Sequence, residues 1–139
     1  MKTFHETVLL YSPSGGEDIK KIKGVCLRMG IRAKEASPSD LSCPLGALFG
    51  IKGFPPKEGG EGPAEPFPET ILVMKGFTGR RMDAFFGQMK RSGVGNIALK
   101  AVLTEHNAAW DLLRLREELL REREAILQGK TVDHEEEPI

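Results

Sequence analysis

Along the chain, short apolar runs alternate with longer segments in which apolar residues recur every three or four positions. This is the pattern of strands followed by amphipathic helices. Thr7 to Tyr11 (TVLLY) and Thr70 to Met74 (TILVM) carry apolar side chains at nearly every position, as strands covered on both faces do. The first run leads through a turn, Ser12 to Gly16, into a predicted helix from Glu17 to Met29. Ile19, Ile22, Cys26 and Met29 share one face of that helix, and Gly30 suits its C-terminus. Arg32 to Ser37 is a half-polar strand fit for a place near an edge. Ser39 and Asp40 can cap a short helix over Leu41 to Phe49, with Pro44 in its first turn. The second run leads into a helix over Arg80 to Arg91, whose inward face is Met82, Phe85, Phe86 and Met89. Gly93 and Gly95 then turn the chain into a last strand at Leu99 to Leu103. Thr104 is placed to cap a long helix from Glu105 to Leu127.

An internal repeat underlies this order. Shifted by 63 positions, Glu6–Ile31 falls on Glu69–Val94 without a gap, with seven identities in 26 positions, among them Gly24/Gly87, Arg28/Arg91 and Gly30/Gly93. A mid-helix glycine costs about 1 kcal/mol against alanine, so Gly24 and Gly87 suggest a close helix approach at equivalent places. The predicted class is α/β: a four-stranded, mostly parallel sheet built from two similar β-α-β-α halves, with a long C-terminal helix. A ferredoxin-like α+β sheet with an insertion is the alternative. One domain spans residues 1–127, with half-units 6–49 and 69–127. Between them, 50–68 holds five glycines and five prolines in nineteen residues and reads as an exposed loop. The acidic segment 128–139 reads as disordered.

Composition removes several classes of function. Lys+Arg and Asp+Glu balance at 20 each, so no global field attracts nucleic acid or an anionic membrane. The opening residues lack the long apolar stretch and small-residue cleavage site of a signal peptide, and no run approaches the roughly 20 residues of a membrane span. A cytoplasmic protein is expected. Cys26 and Cys43 are too few and too far apart for a disulfide scaffold or a Cys-x-x-Cys metal pair, and the three histidines have no ligand spacing. No cofactor or metal is implied.

Candidate chemistry gathers at Leu99–Trp110 (LKAVLTEHNAAW). A strand feeding a capped helix would put Thr104, His106, Asn107 and Trp110 at a strand's carboxyl end, where open α/β proteins bind small molecules. The same residues have ordinary capping and packing roles. Two glycine-bearing turns, Ser12–Gly16 and Gly76–Gly79, could hold an anion on their N–H groups. Arg80 and Arg81 at the start of the second helix oppose its dipole and call for a compensating anion or carboxylate. Neither turn is a Walker loop or a dinucleotide fingerprint.

At this same stretch the chain resembles an uncharacterised family of small bacterial proteins, a domain of unknown function. The resemblance rests on Leu99-Lys100-Ala101-Val102-Leu103-Thr104 followed by Asn107 and Trp110, and extends from about Thr70 to Leu120. It implies no activity and carries over no catalytic residue.

The C-terminal helix presents a broad apolar stripe that includes Leu112, Leu115, Leu119 and Ile126. At about 1.5 Å per residue it can outrun a four-stranded sheet and pair with a second copy. The sequence therefore points first to a non-enzymatic regulatory or assembly module, homodimeric through that helix. A domain binding a small ligand or anion through Thr104–Trp110 and Arg80/Arg81 comes second, and an enzyme of unknown reaction third.

Overall fold

The computed structural model describes residues 6–12, 16–37, 40–54, 68–94, 97 and 99–127. The Gly/Pro-rich stretch lies largely outside these residues, and the acidic tail wholly so.

Four strands, β1 (Thr7–Tyr11), β2 (Arg32–Glu35), β3 (Ile71–Lys75) and β4 (Leu99–Val102), form one sheet in the order β2-β1-β3-β4. Helices α1 (Gly16–Met29), α2 (Leu45–Leu48), α3 (Gly79–Arg91) and α4 (Leu112–Leu127) complete the order β-α-β-α twice over. The two apolar runs take the centre, because only there are both faces of a strand covered. Every residue of β1 is buried, and so are Ile71, Leu72, Val73 and Met74 of β3. Half-polar β2 sits at one edge as expected, and β4 forms the other.

Parallel pairing joins β1 to β2 and β3 to β4, whereas the two central strands run antiparallel, with Thr7 opposite Lys75 and Tyr11 opposite Ile71. Two of the three pairs are thus parallel, and the sheet is mixed. A ferredoxin-like sheet would separate the strands that a crossover joins, whereas here β1 and β2 are direct neighbours.

Alternation along the strands divides the core between the two faces. Val8, Leu10, Leu72 and Met74 pack with Ile22, Val25 and Cys26 of α1 and Phe85 and Met89 of α3. Leu9, Tyr11, Ile71, Val73 and Leu99 pack with Leu45 of α2, Trp110, and Leu112 and Leu115 of α4. Lys34 Nζ donates to the Leu48 carbonyl at 3.2 Å and ties β2 to α2. Burial, with Arg32 and Lys75 nearby, lowers the pKa of this amine from its ordinary value.

Three local expectations are corrected. The long helix starts at Leu112, not Glu105, because a separate 3-10 turn over Asn107–Ala109 intervenes and Trp110 is extended (φ −82°, ψ 152°). Asp111 is the true cap of α4, with Oδ1 accepting the Arg114 N–H at 2.8 Å. The short helix is confined to Leu45–Leu48 with Pro44 before it, and Asp40 turns back to accept from the Ser37 N–H and hydroxyl. Ser39 lies outside the described residues.

The third correction concerns glycine. A Cβ on Gly24 would meet only Arg28 Nη1 at 3.6 Å, and one on Gly87 only Arg91 Nη2 at 3.6 Å, so neither marks a close helix approach. The glycine that close packing requires is Gly46 in α2. A Cβ there would stand 2.5 Å from the Phe54 ring.

Candidate functional site

The strand-to-helix stretch after β4 is organised by one side chain. Asn107 Oδ1 accepts the Thr104 N–H at 2.8 Å, and Asn107 Nδ2 donates to the Val102 carbonyl at 3.0 Å. In return Thr104 Oγ1 accepts the Asn107 N–H at 3.1 Å, a capping box with asparagine in the usual Glu/Gln place. The Leu103 N–H donates to the Met74 carbonyl. By the alternation of a parallel ladder, Val102 and Thr104 therefore present their backbone groups to the side of β4 away from β3. The Asn107 carboxamide stands where the peptide of a further strand would stand, and it closes that part of the sheet edge. Thr104 and Asn107 are both buried.

Trp110 follows, also buried. Its N–H bonds the Asn107 carbonyl, and its own carbonyl accepts the Leu45 N–H at 2.7 Å, which ties the turn to α2. The Arg114 guanidinium lies over the indole at 4.8 Å from its centroid, and His106, exposed, meets it edge-on at 5.2 Å. Beside this turn, between the edge of β4 and α4, lies a hollow of about 260 Å³. Thr104, Asn107 and Trp110 border it with Ala101, Leu115 and Leu119. Glu118, Glu122 and Lys100 bring charges of both signs to its lining. Their spacing from Leu115 places Glu118 and Glu122 on one helical line with it.

His106, Arg80 and Arg81 do not border this hollow. Arg80 is exposed at the start of α3. Arg81 is held in a bidentate pair with Glu6 (2.8 and 2.7 Å) and also donates to the Met29 carbonyl at 2.8 Å. The compensating group for its place against the helix dipole is thus a carboxylate of the same chain, and that pair raises the arginine pKa further. A matching bidentate pair joins Arg116 of α4 to Glu69, just before β3, at 2.8 and 3.0 Å.

Because β1 and β3 are antiparallel, Tyr11 and Lys75 end their strands at opposite ends of the sheet. Residues 13–15 of the first glycine-bearing turn lie outside the described residues.

Burial along α4 changes from one end to the other. Leu112 (0% exposed) and Leu115 (1%) are spent in the domain's own core, while Ile126 (69%) and Leu127 (81%) face solvent. Of the four leucine and isoleucine interface candidates, only Ile126 is exposed, while Leu119 is half-buried and packs against the same core as Leu112 and Leu115. A second hollow of about 320 Å³ lies along this distal part and shares Lys100, Leu119 and Glu122 with the first. Cys26 is buried in the core and burial pushes its thiol up to about 11, whereas Cys43 is partly exposed. Among the described residues, no group of three His, Cys, Asp or Glu side chains could hold a metal ion, and no helix is long and apolar enough to cross a membrane.

Residues 70–126, which run from the start of β3 almost to the end of α4, match the model of the family described as a domain of unknown function (DUF3783). No curated protein and no solved structure matches the chain.

Proposed function

We propose that this domain is a non-enzymatic assembly module of the cytoplasm that docks a protein partner through the distal half of α4. One observation carries the reading: the apolar stripe of α4 continues past the point where the domain's own core ends. Leu112 and Leu115 are buried on that stripe, and Ile126 and Leu127 lie in solvent. Burying one large aliphatic side chain is worth about 1.5–3 kcal/mol, so an uncovered pair at a helix end favours association. A binding role suits the strand ends better than a catalytic one, because the Thr104 hydroxyl and the Asn107 amide are both engaged in holding their own turn.

Replacing Ile126 with a photo-crosslinking phenylalanine analogue, then irradiating cells of the source organism, tests the reading. Adducts above the chain's own mass are expected. A chain that stays uncrosslinked overturns it. Cutting the chain after Leu115 is a poorer test, since it removes the Arg116 partner of Glu69 along with the docking surface.

A second reading, a small-molecule site, is favoured by the hollow that Thr104, Asn107 and Trp110 border. Titration of nucleotides, phosphorylated metabolites, amino acids and divalent metals against Trp110 fluorescence and melting temperature tests it. A saturable shift in both is expected, and silence across the panel counts against it.

A further inference from the structure

Leu119, Glu122, Arg123 and Ile126 follow one another at i, i+3, i+4 and i+7, so they share one face of α4. All four border the same hollow of about 320 Å³, whose opposite wall includes Leu99 and Lys100 at the edge of β4. Read backwards, this face has the same layout: apolar, charged, charged, apolar, with the charges exchanged in sign.

We infer that the partner is a second copy of this chain, bound through an antiparallel α4 pair about a twofold axis between Glu122 and Arg123. This rests on the docking reading above and names its occupant. In that register Leu119 lies against the partner's Ile126 and Glu122 against the partner's Arg123. The twofold axis repeats each contact, as an isologous interface requires. A heterologous partner would have to supply this layout independently, whereas a second copy supplies it by symmetry. The β4 edge itself is a poor seam for two copies. It is four residues long, carries Lys100, and is closed at Val102 and Thr104 by Asn107.

Sedimentation equilibrium of the purified full chain tests the inference, up to about 0.5 mM, the range in which a small interface populates a dimer. A reversible monomer–dimer equilibrium is expected. Glu122→Arg and Arg123→Glu each turn two attractive contacts into repulsive ones and should each weaken the dimer about tenfold. An equimolar mixture of the two variants should recover a mixed dimer of wild-type affinity, and the double variant should recover its own homodimer. Ile126→Asp, at an exposed position, should abolish dimerisation with an unchanged thermal melt. A wild-type chain that stays monomeric overturns the inference. So does a dimer indifferent to both charge reversals, or one that neither the mixture nor the double variant restores. If the purified chain is monomeric while the Ile126 probe still captures other proteins in cells, the second copy is excluded and the docking reading stands. If the probe captures nothing either, both fail.

Discussion

Thr104 and Asn107 hold each other from both sides: each backbone N–H donates to the other's side-chain oxygen, at 2.8 and 3.1 Å. The remaining Asn107 donor closes on the Val102 carbonyl, so one carboxamide satisfies two backbone groups at a sheet edge. Asn107→Ala strands the Thr104 N–H and the Val102 carbonyl and should cost about 2 kcal/mol. Thr104→Ser keeps the hydroxyl and should stay within about 0.5 kcal/mol of wild type. Urea denaturation of the three proteins decides the matter, and an Asn107→Ala variant as stable as wild type would refute the assignment. Loss of ligand binding in Asn107→Ala would not by itself identify a ligand contact.

The glycines separate into two kinds. Gly24 and Gly87 have ordinary room for a Cβ and no positive φ, so alanine at either should stabilise the protein by about 0.5–1 kcal/mol. Gly46→Ala meets the Phe54 ring and should destabilise by about 1–3 kcal/mol. Opposite signs in thermal melts are the expected result.

Acid should weaken the fold through the Glu69–Arg116 pair. The hydrogen bond from Arg116 holds the Glu69 carboxyl below its ordinary value of 4.5. Between the folded and unfolded values the unfolded chain binds the extra proton, so stability rises with pH there. The contribution is complete above about pH 4.5 and lost as pH falls through the folded value. Glu69→Gln should flatten this part of the profile of urea midpoints between about pH 7 and about pH 3. An unchanged acid limb in the variant would exclude the pair as its source.

The two thiols should react at different rates. Cys43 is partly exposed, whereas Cys26 is buried in the core with its thiol pushed up to about 11. A disulfide reagent under native conditions should modify Cys43 first and reach Cys26 only at the rate of unfolding. Equal rates would show the α1 side of the core to be open.

Local pattern alone determined the central strands, the inward faces of α1 and α3, the edge position of β2 and the α/β class. The physical reason is that burial on one face or both imposes periods of two or 3.6 residues, and these can be read within a short window. Thr104 was also legible as a capping residue, because its hydroxyl suits the start of a helical turn.

What lay outside that window only the tertiary structure decided. Periodicity continued unbroken from Thr104 to Leu127, and the break before α4 came from Trp110 turning its backbone to α2; Asp111, a good cap, was the available local signal. The partner of Arg81 lies 75 positions away in Glu6, and the need for glycine at position 46 comes from Phe54 across a turn. Whether β1 and β3 meet parallel or antiparallel is not encoded in either apolar run, since both directions bury the same side chains. The same holds for α4: one stripe carries Leu112 and Ile126 alike. Only the extent of the sheet beneath it determines that Leu112 reaches the core and Ile126 stays in solvent.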